Sequence, residues 1–351
     1  MPRMPAKQLS WRFPLSKKPH SKENMTIKLI EYINNPIKEK ALVFGTNLGA
    51  ALLGKSLPKI YSDANAQVEA ILAFYEHYDA DFLITAMDLS VEAECFGSKV
   101  RFLDFDAPIV ENRLVVNTSQ IKNMNIPDIG EKRSQMYVDL VGKIISLRPS
   151  KPVLGGVIGP FTLASRLFGV TEMLELTILN ETSALVLIEK CYQFILNYAK
   201  AFKSIGSNGV TLSEPSAGLL SPKALYKFSS FFIKKLVEEI ESPTFRVIYH
   251  NCGAKAAHLE SIFESQASIL HFGEPMDISL SLSKSQGNRI ISGNLDPVAV
   301  FFSKDEKFVI KKTSELINKT RKYTNFLIAP GCDLPLRTPP ENVIAFYSAL
   351  N

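Results

Sequence analysis

Short runs of β-branched and aromatic residues, each closed by Gly, Pro, Asp or Asn, alternate along this chain with longer stretches in which apolar residues recur every three or four positions. Eight such runs predict strands, over 41–44, 81–88, 152–159, 209–214, 246–252, 268–273, 289–294 and 325–329. The amphipathic stretches predict helices over 65–78, 130–147, 180–204, 222–241, 254–263 and 305–322, with a last one over 339–350. Alternating strands and helices with eight strands predict an α/β fold, a single-domain (β/α)8 TIM barrel over residues 25–351; by count alone an open doubly wound sheet is the alternative. The placement of polar residues favours the barrel. Asp88, Glu214, His250, Cys252, Glu274, Asn294, Asp296 and Cys332 all fall at or just beyond the C-terminal end of a predicted strand, the face that carries barrel active sites. Residues 90–130 read as an excursion between the second and third strands, with 100–103 and 113–116 forming a hairpin.

Composition fits that picture, since 351 residues with 46% hydrophobic content suffice for one large core. The net charge of +5 is unevenly spread. Residues 1–24 hold Arg3, Lys7, Arg12, Lys17, Lys18 and Lys22 against Glu23 alone, so everything after them sums to zero. A neutral body lacks the basic face of a nucleic-acid-binding domain. The basic segment, with four prolines and no apolar run, reads as a disordered arm or an upstream extension, and Met25 as a natural start. No stretch approaches the roughly 18 apolar residues of a membrane span. Four cysteines at unrelated spacings form no secreted disulfide framework, which points to a reducing cytoplasm.

Two of those cysteines change the reading. In Tyr249-His250-Asn251-Cys252-Gly253, residues two apart on a strand end share a face, so the imidazole and the thiol converge. Cys332, in Pro330-Gly331-Cys332-Asp333, sits where another apolar run breaks. One nitrogen and two sulfurs suit Zn2+, with the fourth position open for chemistry. Against this, a lone strand histidine is usually a satisfied core residue and a buried cysteine a small hydrophobe. Cys191 and Cys95 read as core, and His271 as a weaker site candidate. Glu214 is too costly to bury unpaired and is a candidate fourth zinc ligand or catalytic acid. Asp88 has a similar strand-end address, with helix capping as its alternative.

Six segments carry a family resemblance: Ile158-Gly159-Pro160-Phe161-Thr162-Leu163-Ala164, Ala86-Met87-Asp88-Leu89, Glu214-Pro215-Ser216-Ala217, His250-Asn251-Cys252-Gly253, Ser292-Gly293-Asn294-Leu295-Asp296-Pro297 and Gly331-Cys332-Asp333. Over residues 25–350 the chain resembles the uroporphyrinogen decarboxylase superfamily, and within it the zinc-dependent methylcobamide:thiol methyltransferases typified by the coenzyme M enzymes. The decarboxylases resemble it less, because their Arg-Gln-Ala-Gly-Arg type segment has no counterpart here. The resemblance implies zinc held by His250, Cys252 and Cys332, a thiol substrate such as coenzyme M, and a methylcobamide presented by a separate corrinoid protein. It also implies Glu214 and Asp88 as catalytic acids and Phe161 and Asn294 as corrinoid contacts, with the 90–130 excursion and 161–169 forming the docking rim. A tetrapyrrole decarboxylase and a non-catalytic corrinoid- or tetrapyrrole-binding relative are the competing functions.

Overall fold

The computed structural model describes residues 27–35 and 39–350; the basic segment 1–24 lies outside the described residues. Among the described residues nine strands appear in chain order: β1 Leu83–Ile84, β2 Val100–Arg101, β3 Ile109–Val110, β4 Val153–Ile158, β5 Gly209–Ser213, β6 Arg246–Asn251, β7 Ile269–Phe272, β8 Ile290–Leu295 and β9 Phe326–Pro330. β2 and β3 pair antiparallel as a small hairpin. The other seven form one parallel sheet in the order β1-β4-β5-β6-β7-β8-β9, with helices between consecutive strands as in a TIM barrel.

The predicted first strand supplies the eighth barrel position without being a full strand. Ala41 makes a single parallel bridge to Ile328 in β9, and the Leu42 N–H donates to the Ile328 carbonyl at 3.0 Å. On its other side, side chains replace the ladder: the Ala41 N–H donates to Asp81 and the Thr46 hydroxyl to the Ile84 carbonyl. The second predicted strand is likewise cut to two residues. The Ile158 N–H that a longer β1 would accept goes instead to the buried Glu92 carboxyl at 2.9 Å.

Strand alternation divides the core in two. Leu42, Phe44, Phe82, Ile84, Leu154, Ile248, Ile269, Ile290, Leu327 and Ala329 pack inside the barrel, and Leu29 closes its lower end. Val247, Tyr249 and Ile328, one residue out of step, pack in the larger layer between sheet and helices. Each interior aliphatic side chain contributes about 1.5–3 kcal/mol by leaving water, which fixes the register that carries His250 to the upper end.

Three expectations are corrected here. The excursion hairpin pairs Val100–Arg101 with Ile109–Val110, not with 113–116. The Leu114 and Val115 N–H groups both donate to the Leu167 carbonyl, capping the helix Pro160–Phe168. That helix, expected as rim, buries every residue but Arg166. The helix over 222–241 is interrupted by a π-turn, Tyr226–Ser230, which swings Ser229 inward. No helix among the described residues is long and apolar enough to cross a membrane.

Candidate metal centre

His250 is the fifth residue of β6, and its ring points up the barrel above Ile248. Cys252 follows one residue past the strand, on the same face, and Cys332 follows β9 by two residues. Their donor atoms all lie within 4.8 Å of one another. The separation between His250 Nε2 and Cys332 Sγ is 3.7 Å. Zn–N of about 2.05 Å and Zn–S of about 2.3 Å at a tetrahedral angle place the two donors about 3.6 Å apart, so the spacing and the donor chemistry both fit zinc.

Close backbone approach makes this convergence possible. A Cβ at Gly273 would stand 2.1 Å from the Cys252 carbonyl oxygen, and one at Gly331 would stand 2.9 Å from Gly273 Cα. The loops after β6, β7 and β9 therefore stack on glycine, which lets the two thiols meet. Neither cysteine is in a disulfide, and both are partly exposed, whereas His250 is buried. Cys252 is pulled below the ordinary thiol range by the hydrogen bond from Cys332, and the same contact pushes Cys332 up.

Below the donors, His250 Nδ1 lies 2.6 Å from Nδ1 of His271, whose Nε2 lies 3.0 Å from the Pro330 carbonyl. Phe44 packs against both rings. Burial, then the neighbouring His250, holds the His271 imidazole well below its usual pKa. Beside Cys332, the Asp333 carboxyl accepts from Asn47 at 3.1 Å and is pushed up to about 8 by burial.

The profile of the family described as "Uroporphyrinogen decarboxylase (URO-D)" matches residues 45–351. The chain belongs to the URO-D family. It is 24% identical over 295 residues to the methylcobamide:CoM methyltransferase MtbA of Methanosarcina acetivorans, covering 83% of this chain and 85% of that protein. It is 25% identical over 305 residues to a methylated-thiol–coenzyme M methyltransferase of Methanosarcina mazei, covering 85% and 80%. It is 24% identical over 281 residues to the uroporphyrinogen decarboxylase of Solibacter usitatus, covering 77% and 79%. Among solved structures, a methyltransferase from Methanosarcina mazei matches with a TM-score of 0.84 at 18% identity, covering 92% of this chain and 97% of that one. That match shows a shared URO-D fold.

The remaining residues marked in the URO-D motifs stand apart from the donor cluster. Glu214 is fully buried, and its carboxylate accepts from the Phe161 and Thr162 N–H groups at 2.9 and 2.8 Å and from the Ser229 hydroxyl at 2.9 Å. It caps the helix Pro160–Phe168 and lies outside the cluster formed by the His250, Cys252 and Cys332 donor atoms. Burial nonetheless raises its pKa. Asp88 is ion-paired with Arg133 and also accepts from Ser90 and from Tyr137. Arg133 binds Glu94 at 2.6 Å as well. Phe161 is buried in the core. Asn294 spends its amide nitrogen on the Gly273, Glu274 and Met276 carbonyls, tying the loop after β7 to β8.

Proposed function

We propose that this chain is a zinc-dependent methyltransferase that moves a methyl group between a methyl-corrinoid, carried on a partner protein, and a small thiol such as coenzyme M. The observation that carries this reading is the His250, Cys252 and Cys332 donor cluster at the C-terminal mouth of the barrel, with its tetrahedral nitrogen–sulfur spacing. The names of the methylcobamide and methylated-thiol relatives support it.

Zinc held there supplies a Lewis-acid position at which a thiol is ionised at neutral pH, where a free thiol of pKa about 8.5 is only a few per cent thiolate. His250 presents its Nε2 lone pair, and the two cysteine sulfurs make the site soft and electron-rich. Phe44 packs against the His250 ring within the barrel interior. In the net reaction the thiol gives up its proton to solvent, an S–CH3 bond forms and a Co–CH3 bond breaks. Both electrons of the broken bond stay on cobalt, which departs as Co(I). Exposed Leu219 and Val298, on segments that follow β5 and β8, offer apolar surface to a corrinoid protein.

A tetracarboxylate porphyrinogen requires several free cations, and Arg133 is not one of them, because Asp88 and Glu94 already neutralise it. Incubating the zinc-loaded protein with methylcobalamin and a thiol panel tests the reading. The expected result is S-methylated thiol from at least one member. Release of carbon dioxide from a porphyrinogen, with no S-methyl product, would replace it by the decarboxylase.

A further inference from the structure

We infer that His271 is a positioning residue that fixes the ring tautomer of His250, and through it the direction of the Nε2 lone pair; the inference rests on the zinc reading above. Its starting point is a carbonyl. The Pro330 oxygen can only accept, so the His271 Nε2 at 3.0 Å must carry a proton. His271 is fully buried in the barrel interior, and the strand-paired residues on either side are His250 and Ser292, neither of them an acid that would stabilise an imidazolium. A neutral imidazole with its proton on Nε2 offers a lone pair at Nδ1. His250 Nδ1, 2.6 Å away, must then be the donor, which leaves Nε2 unprotonated and facing Cys332 at 3.7 Å.

The arrangement closes on itself. Pro330 lies two residues before Cys332, so one chain of contacts runs from β9 through His271 on β7 to His250 on β6 and back to the thiol. Ligand histidines usually donate their second N–H to a carboxylate, a carbonyl or water. Here the second ring nitrogen of His250 meets His271 Nδ1 at 2.6 Å, and the Phe44 ring centroid lies 5.6 Å from that of His250 and 5.5 Å from that of His271.

The test compares His271→Asn, His271→Gln and His271→Leu. An Asn side chain places its oxygen near the imidazole Nδ1 position and keeps an acceptor for His250; Gln reaches the Nε2 position and keeps only the bond to Pro330. Zinc affinity, read by competition with a chromophoric chelator, should fall about 10–100-fold in the Leu and Gln variants and markedly less in the Asn variant. Equal losses in Asn and Leu, or no loss in Leu, overturn the proposal. The second arm is independent of metal and of the variants' folding: nitrogen-15 correlation spectra of metal-free wild-type protein should show His271 protonated at Nε2 and His250 at Nδ1. A His250 ring protonated at Nε2 overturns it as well. If the wild type shows the expected tautomers and binds no zinc, the relay stands and the zinc reading falls.

Discussion

Replacing Glu214 separates a structural acid from a catalytic one. In Glu214→Ala, the Phe161 and Thr162 N–H groups at the start of a buried helix and the Ser229 hydroxyl lose their acceptor together. Each buried donor left without a partner costs about 1–3 kcal/mol. Two effects reduce the sum: water enters the vacated space, and the desolvation that raises the Glu214 pKa is relieved. A net loss of about 3–4 kcal/mol is expected, a large share of a typical 5–15 kcal/mol stability. Glu214→Gln keeps one acceptor oxygen but sets an amide N–H against a backbone donor, for an expected loss of about 1–3 kcal/mol. Urea denaturation followed by circular dichroism measures both, and metal analysis of the folded protein should find zinc content unchanged. If Glu214→Gln keeps full stability and instead loses zinc or alters thiol affinity, the capping role is wrong and the residue belongs to the metal centre.

Cys252→Ala and Cys332→Ala should each lose most of the bound zinc in atomic absorption while keeping the far-ultraviolet spectrum of the folded barrel, because neither thiol packs in the core; full zinc retention in both would contradict the ligand set. Gly273→Ala forces a Cβ to within 2.1 Å of the Cys252 carbonyl and should weaken zinc binding and lower the melting temperature together, whereas an unchanged affinity would show that the stacked loops do not set the donor spacing. Burial pushes the Glu92 carboxyl up to about 8. An unfolded chain releases that proton near pH 4.3, so the contribution is fully present below that pH and is lost as pH rises towards 8, by up to about 1.4 kcal/mol per pH unit. Glu92→Gln keeps an acceptor for Ile158 and carries no such proton, so its melting temperature should gain on the wild type between pH 5 and 8; parallel curves would show that Glu92 is ionised in the folded state.

Local pattern exposed the parts of this molecule that depend on local pattern. The strand-end His250-x-Cys252 pair and the Gly331-Cys332 break could be read directly, because strand alternation decides which side chains share a face. Glu214 reads in the sequence as an acid that needs a partner. Its partners are the amides of a helix whose Gly159-Pro160-Phe161 start reads equally well as a loop, so the capping role was hidden. Asp88 pairs with Arg133 across 45 positions, a contact that no spacing rule reaches. The His250–His271 contact depends on the β6–β7 register, which the barrel sets and the chain does not display. The run 41–44 has strand composition, yet its neighbours engage it through Asp81 and Thr46 side chains, so only one backbone bridge remains.

The central claim is that a thiol binds at a zinc ion held by His250, Cys252 and Cys332. Zinc-edge X-ray absorption of the purified protein, with and without coenzyme M, tests it most directly. The account predicts a first shell of one nitrogen and two sulfurs with a lighter fourth ligand, changing to three sulfurs when the thiol is added. A shell without sulfur, or one that does not change in the presence of a thiol that the protein methylates, would contradict it.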